Sequence, residues 1–107
     1  MPGASILKQG SHWQGEVQQI DDSGNLITNF NFAELHPLAE ASKLWIGFEK
    51  SSLTVRGLQA PGAAPEPGKL CATQGLGGLL EITVIGGSAA AQTNAAVGDR
   101  VDIFFRS

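Results

Sequence analysis

At 107 residues the chain can enclose one hydrophobic core and falls below the size at which a second is expected, so it reads as a single unit. A net charge of −3, with seven Lys and Arg spread along the sequence, leaves no electrostatic footprint for nucleic acid, and no apolar run approaches the ~20 residues of a membrane span. Cys71 is alone, which excludes an internal disulfide and a metal-ligand set and makes a reduced, cytoplasmic setting the expectation.

The start, MPGASILKQGSHWQG, lacks the basic head and long apolar centre of a signal peptide. Residues 1–14 hold no sustained period and predict a loose lead-in whose Ile6, Leu7 and Trp13 dock on the body, and 15–107 form the domain proper. Val17 and Ile20, then Asp21-Asp22-Ser23-Gly24-Asn25, then Leu26, Ile27 and Thr28 predict a β-hairpin with a polar tip. Phe32, Leu35 and Leu38 recur at helical spacing, but Pro37 interrupts, so the pattern predicts a turn or two of helix. Leu44/Ile46/Phe48 and Leu53/Val55 alternate with polar or small neighbours and predict a second hairpin.

Ala60–Gly68 is too rich in proline for a strand ladder and reads as an exposed loop, followed by a short strand over Lys69–Thr73. Leu80, Ile82 and Val84 alternate with Glu81 and Thr83 in the cleanest strand of the chain, bounded by glycines on both sides. Ser88 is placed to cap a helical turn at Ala89–Ala91, and Val101–Phe105 predicts a final strand. The sum is an all-β domain of six to seven strands with one or two short helical turns, either a sandwich or a small closed barrel. The barrel is preferred, because closure removes edges that so few charges would protect poorly.

The hairpin IDDSGNLITNF resembles the I-D-x-F-G-N-x-x-T-N motif of the C-terminal domain of S-adenosylmethionine hydroxide adenosyltransferases, the family that includes the fluorinase and chlorinase. Gly78-Leu79-Leu80-Glu81-Ile82-Thr83-Val84, then Gly87-Ser88-Ala89-Ala90 and Gly98-Asp99-Arg100-Val101, resembles that family's closing pattern. The resemblance implies a Greek-key β-barrel that completes an adenosine and methionine pocket with a larger α/β domain in a trimer. It also implies three ligand-binding residues. Asp21 matches an aspartate that meets the methionine amino group, Asn25 an asparagine that bonds the adenine edge, and Gly86 a position whose backbone meets adenine. An amide offers a base edge one donor and one acceptor, and a carboxylate pairs with an ammonium.

The departures from the pattern concern the same pocket. Ser23 replaces an aromatic, Leu76-Gly77 replaces a hydroxyl-bearing pair, and Ile85 replaces an asparagine. Ala60–Gly68 holds no aromatic to stack on adenine, a contact worth ~1–3 kcal/mol. No catalytic residue is assigned. His12 and His36 lack an Asp or Cys at a telling spacing, Cys71 reads as a small core residue, and Glu81 as an outward charge. Trp13 and Trp45 are candidates for a binding face, and Trp45, opposite the Leu44/Ile46/Phe48 side of its strand, equally suits a subunit contact or partial burial.

The expected function is a stand-alone, non-catalytic binding or assembly module that self-associates and contacts S-adenosylmethionine or adenosine, with no resident cofactor or metal. One alternative is the C-terminal half of a two-chain S-adenosylmethionine hydrolase whose α/β domain lies on another chain. A second is a structural interaction protein with no small ligand.

Overall fold

Alternation of apolar and polar side chains sets the strands, and the glycine and Asx clusters set their ends. In a computed structural model that describes residues 6–41, 43–59 and 66–106, eight strands form. They are β1 (Leu7–Gln9), β2 (His12–Ile20), β3 (Leu26–Asn31), β4 (Lys43–Phe48), β5 (Ser51–Arg56), β6 (Leu70–Gln74), β7 (Leu79–Val84) and β8 (Arg100–Arg106). Helices α1 (Phe32–Ala41) and α2 (Ala89–Thr93) and a 3-10 turn at Leu76–Gly78 complete the order.

All pairings are antiparallel, in the order β5-β4-β8-β2-β3-β7-β6, with β1 beside β2. The last strand therefore lies between the two hairpins, as a Greek key requires. The sheet curls until its ends nearly meet, and the Gln59 N–H donates to the Ala72 carbonyl across the remaining seam at 2.7 Å. The all-β, barrel-like architecture is as expected.

One strand serves both halves of the sheet. His12–Glu16 of β2 pairs with β8, whereas Val17–Ile20 pairs with β3, and the register slips between Val17 and Gln19. Such a bulge bends a strand and turns a sheet corner. At the bend, a Cβ on Gly15 would run into Asn29 Oδ1 and the Phe30 ring. The same Asn29 oxygen accepts from the Glu16 N–H at 2.8 Å, which ties β3 to β2.

Inward side chains of the strands, including Val17, Leu26, Phe30, Ile46, Leu80, Ile82 and Ile103, fill the interior. Thr28 is buried with them because its hydroxyl donates to the Leu80 carbonyl at 2.8 Å and accepts from the Phe30 N–H.

Three expectations need correction. The stretch read as a loose lead-in holds β1 and the start of β2, since Leu7–Gln9 finds a partner in His12–Gln14; residues 1–5 lie outside the described residues. Helix α1 runs ten residues through Pro37. Pro37 is on the exposed side, where a lost intrahelical bond is solvated, while Phe32 and Leu35 are buried. Leu53, expected inward, is exposed, because β5 slips against β4 between Gly47 and Phe48. The proline-rich loop falls at 60–65 outside the described residues. Among the described residues no helix is long and apolar enough to cross a membrane.

Candidate functional site

The β2–β3 tip is held by its own aspartate. Asp21 Oδ1 accepts from the backbone N–H groups of Ser23 and Asn25 at 3.0 and 2.9 Å, and Oδ2 accepts from Asn25 Nδ2 at 2.9 Å. The Asn25 N–H contributes most to holding the carboxyl below its ordinary value, against a smaller opposing effect of desolvation. Backbone bonds from Asp21 to the Asn25 carbonyl and from Gly24 to the Asp21 carbonyl close the turn. The Asn25 amide is thus fixed by its nitrogen, and its Oδ1 has no protein donor among the described residues.

The tip rests on the turn after β7. Gly24 has φ +83°, and a Cβ there would strike the Ser88 side chain. The Gly24 carbonyl accepts from the Ala90 N–H at 2.9 Å, and Ser88 Oγ accepts from the Ala91 N–H at 3.1 Å, capping α2. The first of these bonds joins two segments far apart in sequence at one end of the barrel, and the second fixes the turn that receives it. Ser23, Asn25, Thr83, Val84, Ile85, Gly86, Gly87 and Ser88 line a cleft of about 760 Å³ there. Gly86 has φ +77°, and neither its N–H nor its carbonyl has a protein partner among the described residues.

Of the three residues singled out in the sequence, the structure brings Asn25 and Gly86 into one cleft. Asp21 is not in its lining. Both Asp21 oxygens serve the turn, where they orient Asn25.

A family model, the SAM hydroxide adenosyltransferase C-terminal domain, matches residues 15–102. The chain belongs to that family. Both motif blocks of the hydroxide adenosyltransferase C-terminal domain thus lie within the match, and in space they are the two sides of the cleft. Among solved structures, a crystal structure of an uncharacterized conserved protein from Thermotoga maritima superposes with a TM-score of 0.79 at 20% identity over 97% of this chain. That likeness is one of fold, and the chain spans 40% of the Thermotoga protein. A search of curated proteins finds no match.

The sequence reading missed a polar cluster on the outer face of β2 and β8. Asp102 Oδ1 meets His12 Nε2 at 2.9 Å and accepts from Gln14 at 3.2 Å, and Oδ2 accepts from Arg100 Nε at 2.9 Å. Burial pushes the Asp102 carboxyl up, but hydrogen bonds from Arg100, His12 and Gln14 outweigh it and hold the carboxyl below its ordinary value. His12 also stacks on Phe104 with ring centroids 4.4 Å apart. Alternation along β8 put Asp102 on the outer face, but only the β2–β8 register shows what it meets.

Cys71 is half-buried at the seam, where its thiol donates to Gln59 Oε1 at 3.2 Å and burial pushes its pKa up, so it is not an activated nucleophile. No group of three His, Cys, Asp or Glu able to hold a metal occurs among the described residues.

Proposed function

We propose that the chain is a binding module that holds an adenosine-containing small molecule in the cleft between the β2–β3 tip and the β7–α2 turn. The observation that carries the reading is the pairing of Asn25 Oδ1, an acceptor without a protein donor among the described residues, with the unpartnered Gly86 peptide in one cleft. Adenine presents an exocyclic amine that an amide oxygen accepts from, and ring nitrogens that a backbone N–H donates to. Asp21 acts as a positioning residue, because it fixes which end of the Asn25 amide faces outward. In this reading the module is non-catalytic, self-associating and cytoplasmic.

A second reading draws on the 40% coverage of the Thermotoga protein. The cleft is one wall of an active site, and an α/β half supplied separately completes it and hydrolyses S-adenosylmethionine to adenosine and methionine.

Calorimetric titration with adenosine and with S-adenosylmethionine tests both. The binding-module reading expects heat with the chain alone and at least tenfold weaker binding for Asn25→Ala, about 1.4 kcal/mol. Heat and turnover only after addition of an α/β half supports the second reading. Silence in both settings overturns both.

A further inference from the structure

The seven cations are dispersed in the sequence and unevenly satisfied in space. Lys8 pairs with Glu34, Lys50 with Asp99, Lys69 with Glu66 and Arg100 with Asp102. The remaining three, Lys43, Arg56 and Arg106, have no acidic partner among the described residues. All three surround one indole. Arg56 stands directly across from Trp45 on β5, and Lys43 lies two residues before Trp45 on the same face of β4. Arg106 stands across from Lys43 on β8, with its guanidinium 5.8 Å from the Trp45 ring.

Like charges directly opposite on neighbouring strands destabilise a sheet, so the Lys43–Arg106 pair costs the isolated chain free energy. Beside it, Ser11, Trp45, Phe104, Phe105 and Arg106 line a cleft of about 380 Å³, and Phe104 is 43% exposed. A concentration of cations and open apolar surface on a chain of net charge −3 calls for a counter-charge with an apolar body.

We propose that the outer face of β5-β4-β8 is a docking surface for an acidic, apolar-bearing protein segment, whose carboxylates meet Lys43, Arg56 and Arg106 and whose apolar side chain enters the cleft beside Phe104. The surface favours a peptide over a single-stranded nucleic acid because two of its aromatic rings already have partners. His12 stacks on one face of Phe104 and the Arg106 guanidinium lies 5.8 Å from the Trp45 ring, so a base would have to compete for the stacking positions, whereas carboxylates and an aliphatic side chain would not. This inference is independent of the adenosine cleft, whose lining shares no residue with it.

The test uses a synthetic peptide of alternating glutamate and leucine, a lysine-for-glutamate counterpart and a deoxythymidine decamer. The glutamate peptide is expected to bind, with affinity falling at least tenfold in the Arg56→Gln, Arg106→Gln double variant and with added salt, while Lys69→Gln leaves it unchanged. Separately, Lys43→Gln is expected to raise the melting temperature by removing the like-charge pair. Equal binding of both peptides, preference for the oligonucleotide, absence of binding, or a lowered melting temperature for Lys43→Gln overturns the proposal. So does protein that sediments as a dimer through this face, with the double variant monomeric, because a second copy is then the occupant.

Discussion

Gly24 and Asp21 carry the most structure per residue. Gly24→Ala must place a side chain at φ +83° and displace Ser88. The left-handed backbone alone costs about 1 kcal/mol, and with the steric conflict the expected loss in urea unfolding is about 2–3 kcal/mol. Gly10→Ala, at φ +58° with open space around it, is expected to lose only the first part. Equal losses would mean that the tip does not bear on Ser88. Asp21 has a carboxyl held below the ordinary aspartate value of 3.8, as do Asp99 and Asp102. A depressed folded-state pKa gives stability that is present above pH 3.8 and lost as pH falls through the folded value. The urea midpoint is therefore expected to drop below about pH 4, and Asp21→Asn, which keeps the shape but not the charge, to flatten that drop. An unchanged profile in the variant would show that the turn does not draw on the ionised form.

At the scale of elements, Thr28 links β3 to β7 inside the barrel. Thr28→Val keeps the volume but leaves the Leu80 carbonyl and the Phe30 N–H without their buried partner, an expected loss of about 1–3 kcal/mol by thermal unfolding. A neutral Thr28→Val would mean that water reaches those groups. What the sequence disclosed at this scale was local. The β2–β3 tip is specified by Asp and Asn bonding to their own backbone, β7 by strict alternation between glycines, and α2 by the Ser88 hydroxyl, so each could be read without its neighbours. Helix α1 was understated because propensity weighs Pro37 against a helix, whereas burial of Phe32 and Leu35 decides for it. Leu53 was misread because a register slip is invisible to periodicity. β1 is three residues long and exists only through its pairing with β2.

Over the whole molecule, function depends on which local pieces meet. The motif blocks that mark the hydroxide adenosyltransferase C-terminal domain are neighbours because β3 pairs with β7; the family resemblance alone names Asn25 and Gly86, and the strand pairing is what brings them to one cleft. Asp21 could also be named, but its part in orienting Asn25 needed the hydrogen bonds. The His12–Asp102 contact and the cations around Trp45 span residues as much as 90 apart and follow from strand order, which no composition or spacing encodes. Seven scattered cations in the sequence become four pairs and one positive face in the fold. The most direct measurement is a proton–nitrogen NMR titration of the chain with adenosine. The proposal that adenosine occupies the cleft predicts saturable shifts in the Asn25 side-chain amide and the Gly86 N–H, small elsewhere on the barrel. Resonances of Asn25 and Gly86 that stay fixed at millimolar adenosine, or shifts centred on another face, would contradict it.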